Sequence, residues 1–180
     1  MPTNAKTKAK NSAERKIRST QAEPVGQSHK SEALNAIELL EQDHREVEGL
    51  FEEYGDLVDD PAKGELAKKI CMTLTVHMQI EEEIFYPQAR KATKDDDLLD
   101  EAVVEHAGAK NLIAEIEGME AGEDLFDAKV KVLGEQIKHH VEEEEEELFP
   151  EVADTEMDLD AVGVQMEKRK AELLKQLAKA

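Results

Sequence analysis

A chain of 180 residues, 39% of them hydrophobic, is long enough for one domain with a sizeable core, and its net charge of −20 sets it against phosphate backbones and anionic membranes. The single cysteine, Cys71, excludes an internal disulfide framework, and no apolar run approaches the roughly 18 residues of a membrane span or the apolar centre of a signal peptide. Nine Gly, five Pro and few aromatics among abundant Ala, Leu, Glu and Lys favour helices over strands, so a soluble, cytoplasmic, all-α protein is expected.

Residues 1–30 carry seven Lys/Arg against two Glu, which places −25 on the remainder, and they are nearly free of large apolar residues. They predict a basic disordered tail, a solubilising arm or a contact arm for nucleic acid or an acidic partner. From Ser31 the pattern changes. Leu34, Ile37, Leu40, His44, Val47, Phe51 and Tyr54 recur at three and four, a first helix that Gly55 and Pro61 close. Asp59-Asp60-Pro61 suits the first turn of a second helix, whose stripe runs through Leu66, Ile70, Leu74, His77, Glu81, Ile84 and Phe85 to its expected end at Pro87. A third stripe is Leu99, Val103, His106, Lys110, Ile113 and Ile116, and a fourth is Phe126, Val130, Leu133, Ile137, His140, Glu144 and Leu148, closed by Pro150. Four such helices with short loops predict an up-down-up-down four-helix bundle over residues 31–153. Residues 154–180, with Leu159, Val162, Met166, Leu173 and Leu177, predict an additional C-terminal helix packed on that bundle, or on a second copy of the chain, so a monomer or homodimer is expected.

The chain repeats itself. His77-Met78-Gln79-Ile80-Glu81 with Pro87 at its end returns sixty-three residues later as His140 to Glu144 with Pro150, and Asp43-His44 returns as Glu105-His106. Two helical hairpins related by a pseudo-two-fold axis follow. All four stripes carry a His, and the second and fourth add a Glu one turn later, on the same face. A lone His on such a face is most simply a hydrogen-bonded core residue. Four His with two Glu are different, because buried carboxylates cost several kcal/mol and repel each other, and a metal cluster removes both penalties. Six mixed imidazole and carboxylate ligands point to iron, with manganese second. Zinc would be satisfied by four ligands, and neither Cys pairs nor a His-Glu-x-x-His motif are present.

The ordered set His44, His77-x-x-x-Glu81 before Tyr86-Pro87, His106, and His140-x-x-x-Glu144 before Phe149-Pro150 resembles the hemerythrin-like, or His-His-Glu cation-binding, family over about residues 34–150. The resemblance implies a four-helix bundle holding two Fe ions in a non-haem di-iron centre, with Glu81 and Glu144 bridging them and the histidines as terminal ligands. In the oxygen-carrying members a second His stands one turn after the first on the third helix; here that position is Lys110. By pseudo-symmetry one iron would take His44 and His77 and the other His106 and His140, leaving a more open pair. Lys110, and its repeat-equivalent Glu48, are the candidates for contact with the metal-bound ligand, Lys110 as a hydrogen-bond donor and Glu48 as a ligand or the partner of Lys110; Lys110 directed outward along its stem is the simpler alternative.

His139 points about 100° away from His140 and reads as a surface residue. Glu144 apart, the run Glu142 to Glu147 reads as a solvated face, with a funnel for incoming iron as the sharper alternative. No nucleophile motif and no catalytic residue stand out. The small partner expected at the metal is dioxygen, peroxide or nitric oxide, and nucleic acid is disfavoured apart from contacts through the tail. The leading reading is binding of dioxygen or a related ligand for sensing, storage or scavenging, and the alternatives are a peroxide- or nitric-oxide-consuming enzyme of stress protection or an iron-homeostasis protein.

Overall fold

The computed structural model describes residues 34–93 and 96–178, so the expected basic tail lies outside the described residues. Every regular element among them is helical: α1 (Ala36–Asp56), α2 (Asp60–Ile80), α3 (Tyr86–Thr93), α4 (Asp97–Glu117), α5 (Phe126–Glu143), α6 (Phe149–Ala153) and α7 (Leu159–Leu177), with two π-helical turns at Glu81–Phe85 and Glu144–Leu148. Asn35 opens α1 with a reciprocal cap: its side chain accepts from the Glu38 amide, and the Glu38 carboxylate accepts from the Asn35 amide. Asp59 caps α2 ahead of Pro61, and Asp158 caps α7.

Helices α1, α2, α4 and α5 form a closed ring, each packed on the next and α5 back on α1, which is the expected four-helix bundle. The additional C-terminal helix α7 lies along α1, α2 and the first π turn. Its Val162, Met166 and Leu173 join Leu40, Ile80, Phe85, Leu99 and Phe149 in one apolar cluster, while Val47, Ile70, Leu74, Ile113, Leu133 and Ile137 build a second. The buried polar side chains Asp43, His44, His77, Glu81, His106, His140 and Glu144 come from neither cluster.

One expectation is corrected: Pro87 and Pro150 do not end their helices. Each falls second in an α segment that follows a π turn, so α2 runs on through Glu81–Phe85 into α3, and α5 through Glu144–Leu148 into α6. Proline is normally excluded from a helix interior because it lacks the amide hydrogen and its ring strikes the carbonyl four residues back. The widened turn relieves this, because the helix is already bonding five residues back, from the Tyr86 amide to the Glu81 carbonyl and from the Phe149 amide to the Glu144 carbonyl.

Candidate metal centre

The four histidines and two carboxylates singled out in the sequence meet in the bundle interior, and none is more than 5% exposed. His77 Nε2 lies 3.3 Å from Glu81 Oε2, and His106 Nε2 lies 3.4 Å from the same oxygen. His44 Nε2 lies 3.3 Å and His140 Nε2 3.6 Å from Glu144 Oε2, and His106 Nε2 and His140 Nε2 are 3.0 Å apart. The ligand-capable atoms fall into two groups, His44, His77, Glu81 and Glu144 in one and Glu81, His106 and His140 in the other, joined by Glu81.

Each imidazole is aimed by a carboxylate at its other nitrogen. His44 Nδ1 meets Glu145 at 2.8 Å, His106 Nδ1 meets Glu82 at 3.0 Å and His140 Nδ1 meets Glu105 at 2.8 Å. His77 Nδ1 has Asp43 at 3.6 Å, within ion-pair reach but too long for a hydrogen bond. A carboxylate at Nδ1 fixes the tautomer whose lone pair sits on Nε2, the form a metal requires. Those carboxylates are themselves anchored: Glu145 by Arg45, Asp43 by Lys170 of α7, and Glu82 by Lys110 at 2.6 Å.

Five side-chain atoms facing the centre have no hydrogen-bond partner: His44 Nε2, His77 Nε2, Glu81 Oε1 and Oε2, and Glu144 Oε2. Buried polar atoms left unpaired cost roughly 1–3 kcal/mol each, more when charged. Unpaired acceptors converging from three of the four bundle helices are what a cation would satisfy, and these residues fit one.

The hemerythrin HHE cation-binding domain pattern matches residues 35–152. The chain belongs to that family. The crystal structure of a hemerythrin HHE cation-binding domain-containing protein from Mycobacterium kansasii shares the fold, with a TM-score of 0.67 over 78% of this chain and 87% of that one, at 22% identity. A protein of Nostoc sp. (strain PCC 7120) named DNA nickase is 29% identical over 125 residues, which is 69% of this chain and 35% of that protein, so the chain spans about a third of that relative's length. This hemerythrin-family chain is a metal-binding protein, with two buried His/Glu groups to hold the cation.

Burial, and the facing Glu144 carboxylate, push the Glu81 carboxyl well above the usual range. Burial alone would raise Glu144 too, but His140 and His44 outweigh it and hold Glu144 low. Of the two, Glu81 is therefore the one that holds a proton more readily. Burial lowers His77, and it lowers His106 to about 4, so both stand as neutral ligands at neutral pH. Burial also opposes charge on His140, but Glu144 and Glu105 reverse that and raise it.

The structure does not bring Lys110 and Glu48 into the centre. Lys110 is half exposed and both its bonds go to the Glu82 carboxylate, and Glu48, also half exposed, pairs with Arg45 at 2.6 Å. Their contacts lead to the centre only indirectly, from Lys110 through Glu82 to His106 and from Glu48 through Arg45 and Glu145 to His44. Cys71 is buried in the apolar cluster away from the ligands, where burial pushes its thiol up to about 12.

Sequence reasoning missed Tyr86 as a site residue. Five residues on from Glu81, an α-helix would turn it about 140° off the ligand face. The π turn takes up that rotation: Tyr86 Oη donates to Glu144 Oε1 at 2.8 Å, and its ring packs against His106 at 5.5 Å. Phe149 takes the matching place after Glu144, stacked 5.8 Å from His44 at an interplanar angle of 7°. The signal was in the repeat, since both copies place an aromatic five residues after the Glu.

Proposed function

We propose that this chain holds two iron ions and binds dioxygen or a related small ligand, peroxide or nitric oxide, for sensing, storage or scavenging. The observation that carries the reading is the pair of buried ligand groups joined through Glu81. Two groups suggest two ions, with Glu81 and Glu144 between them. Four imidazoles and two carboxylates without thiolate favour iron, with manganese second. A non-haem iron pair supplies reversible binding or reduction of small oxygen and nitrogen species.

The chain's own residues would do the rest. His44 and His77 serve one ion, and His106 and His140 the other, each aimed by its outer carboxylate. Neither group offers six protein atoms, which leaves room for a small ligand. Tyr86, held as a protonated donor by burial and by Glu144, places a hydroxyl 3.3 Å from His106 Nε2, where it would stand beside a small ligand held there. Phe149, stacked on His44 and packed edge-on to Phe85, sets an apolar surface against the centre. Residues 31–180 bear the whole acidic excess, which disfavours contact of the bundle with a phosphate backbone.

Metal content per chain of protein purified without added metal, read with its absorption spectrum, tests the proposal. Two irons per chain with oxo-bridge charge-transfer bands, and a coloured adduct that bleaches under vacuum, are expected. A single zinc overturns it, and rapid autoxidation or turnover of hydrogen peroxide would move the reading from carrier to enzyme.

A further inference from the structure

Four outer carboxylates hold the four imidazoles, and what covers each of them differs. Arg45 covers Glu145, Lys170 covers Asp43 and Lys110 covers Glu82. A cation arriving at any of these three meets a fixed positive charge. Glu105, the holder of His140, is covered instead by a second imidazole and a second carboxylate: His139 Nε2 lies 3.9 Å from Glu105 Oε1 and 3.3 Å from Glu143 Oε1. One ligand-capable atom from each of Glu105, His139 and Glu143 lies within 4.8 Å of the others.

Behind this cluster is a cavity of ≈ 10 Å³, lined on its outer side by Glu105 and Glu143 and on its inner side by His140 and Glu144. That is about the room one water needs. The Glu144 side chain is 2% exposed, and its Oε2 has no hydrogen-bond partner. The cavity thus lies between Glu105 and Glu143 of the surface cluster and His140 and Glu144 of the buried centre.

We propose that Glu105, His139 and Glu143 form a surface site for a divalent first-row cation, and that the buried centre is loaded through it. The inference rests on the reading of the buried groups as a metal centre. One imidazole with two carboxylates suits Fe²⁺ and Mn²⁺, and the exposure of His139, 63% at the side chain, leaves the remaining coordination positions to water. An ion held by three protein atoms can leave, whereas one held by the buried groups is kept. Glu105 links the two stations, with one oxygen on His140 and the other toward His139. His139 and the acidic run Glu142 to Glu147, a surface residue and a solvated face in the sequence, here supply the arrival point.

Two measurements on the full metal-free chain test this. In an electron paramagnetic resonance titration with Mn²⁺, H139A is expected to bind one ion fewer per chain than wild type; equal numbers overturn the proposal. In anaerobic Fe²⁺ uptake at limiting iron, quenched with a chelator, H139A and E143Q are expected to fill at least ten times more slowly than wild type and to reach the same final content. K138A, which removes an exposed charge from the same helix, should fill at the wild-type rate. Uptake by H139A at the wild-type rate overturns the loading role. If wild type takes up no iron at all, the reading of the buried centre fails, and the Mn²⁺ count still decides whether the surface site exists.

Discussion

The Tyr86 hydroxyl donates to Glu144 at 2.8 Å, while its repeat-equivalent, Phe149, has no hydroxyl to offer and stacks on His44 instead. The two halves of the centre are alike in ligands and unlike in donors. Tyr86→Phe removes the one donor and leaves a buried carboxylate oxygen unpaired, which should lower stability by about 1–3 kcal/mol. Metal content should stay at the wild-type level, since no ligand is touched, while the absorption bands and the off-rate of a bound small ligand change. Denaturant melts and metal analysis of the variant check both halves, and a lost metal would place Tyr86 among the ligands.

The inward residues were legible because a helix repeats every 3.6 residues, and His44, His77, Glu81, His106, His140 and Glu144 all lie on apolar stripes. What surrounds them was not. Asp43 and Glu105 directly precede a His, and Glu82 and Glu145 directly follow a Glu, so each lies about 100° off the stripe and reads as solvated surface. Only the repeat, with an acid at the same place in both hairpins, marked them. The π turns were hidden for a different reason: a proline after a ligand helix is ordinarily its end, and nothing in a hydropathy pattern shows a helix widening to admit one. Lys110 and Glu48 sit on the right helices one turn from a His, but Lys110 stops at the outer carboxylate Glu82 and Glu48 at Arg45.

Lys170 couples α7 to the centre. Its ammonium meets Asp43, which is 4% exposed and faces His77 Nδ1, and residue 170 lies beyond the 35–152 span of the family pattern. Lys170→Met keeps the stem packed but leaves Asp43 buried without its cation. Groups that orient a metal-bound His typically contribute 10- to 100-fold in metal affinity, and a loss at the lower end of that range is expected. Competition with a chromophoric chelator measures it, and Lys170→Arg should restore most of the loss. Unchanged affinity in the Met variant would make the contact merely structural.

Gly163 is where α7 crosses the start of α1. A Cβ there would come within 2.5 Å of the Leu34 carbonyl oxygen and 2.9 Å of the Ala36 nitrogen, both backbone atoms that cannot swing away. Gly163→Ala should therefore push α7 off and cost about 1–3 kcal/mol, although alanine is the better helix former. Because α7 carries Lys170, metal affinity should fall in the same variant. Thermal melts and chelator competition on one preparation test the link, and a stabilised variant would show that α7 is not seated on α1 as described.

Metal removal should destabilise the protein and leave a proton signature. Glu81 has its pKa raised above 4.5 in the metal-free fold, so its folded form holds a proton that the unfolded chain has already lost. The stability this gives is present below 4.5 and is lost as pH rises through the raised value, so the metal-free protein should weaken on going from acid toward neutral pH. His106, lowered to about 4, works in the opposite sense: the unfolded imidazole takes up its proton first, so its contribution weakens the fold as pH falls from 6.5 toward 4. Metal binding needs the ligands deprotonated, which His106 already is at neutral pH, whereas the raised Glu81 carboxyl holds its proton more tightly than an ordinary carboxyl. Below their raised values Glu81 and His140 should both release protons when metal binds, so apparent affinity should climb with pH until those values are passed. Calorimetric titrations in buffers of different ionisation enthalpy count those protons. In Glu81→Gln, which has none to give at that position, the metal-free protein should be as stable as wild type or more so, the release should fall by the Glu81 share, and the metal should bind far more weakly.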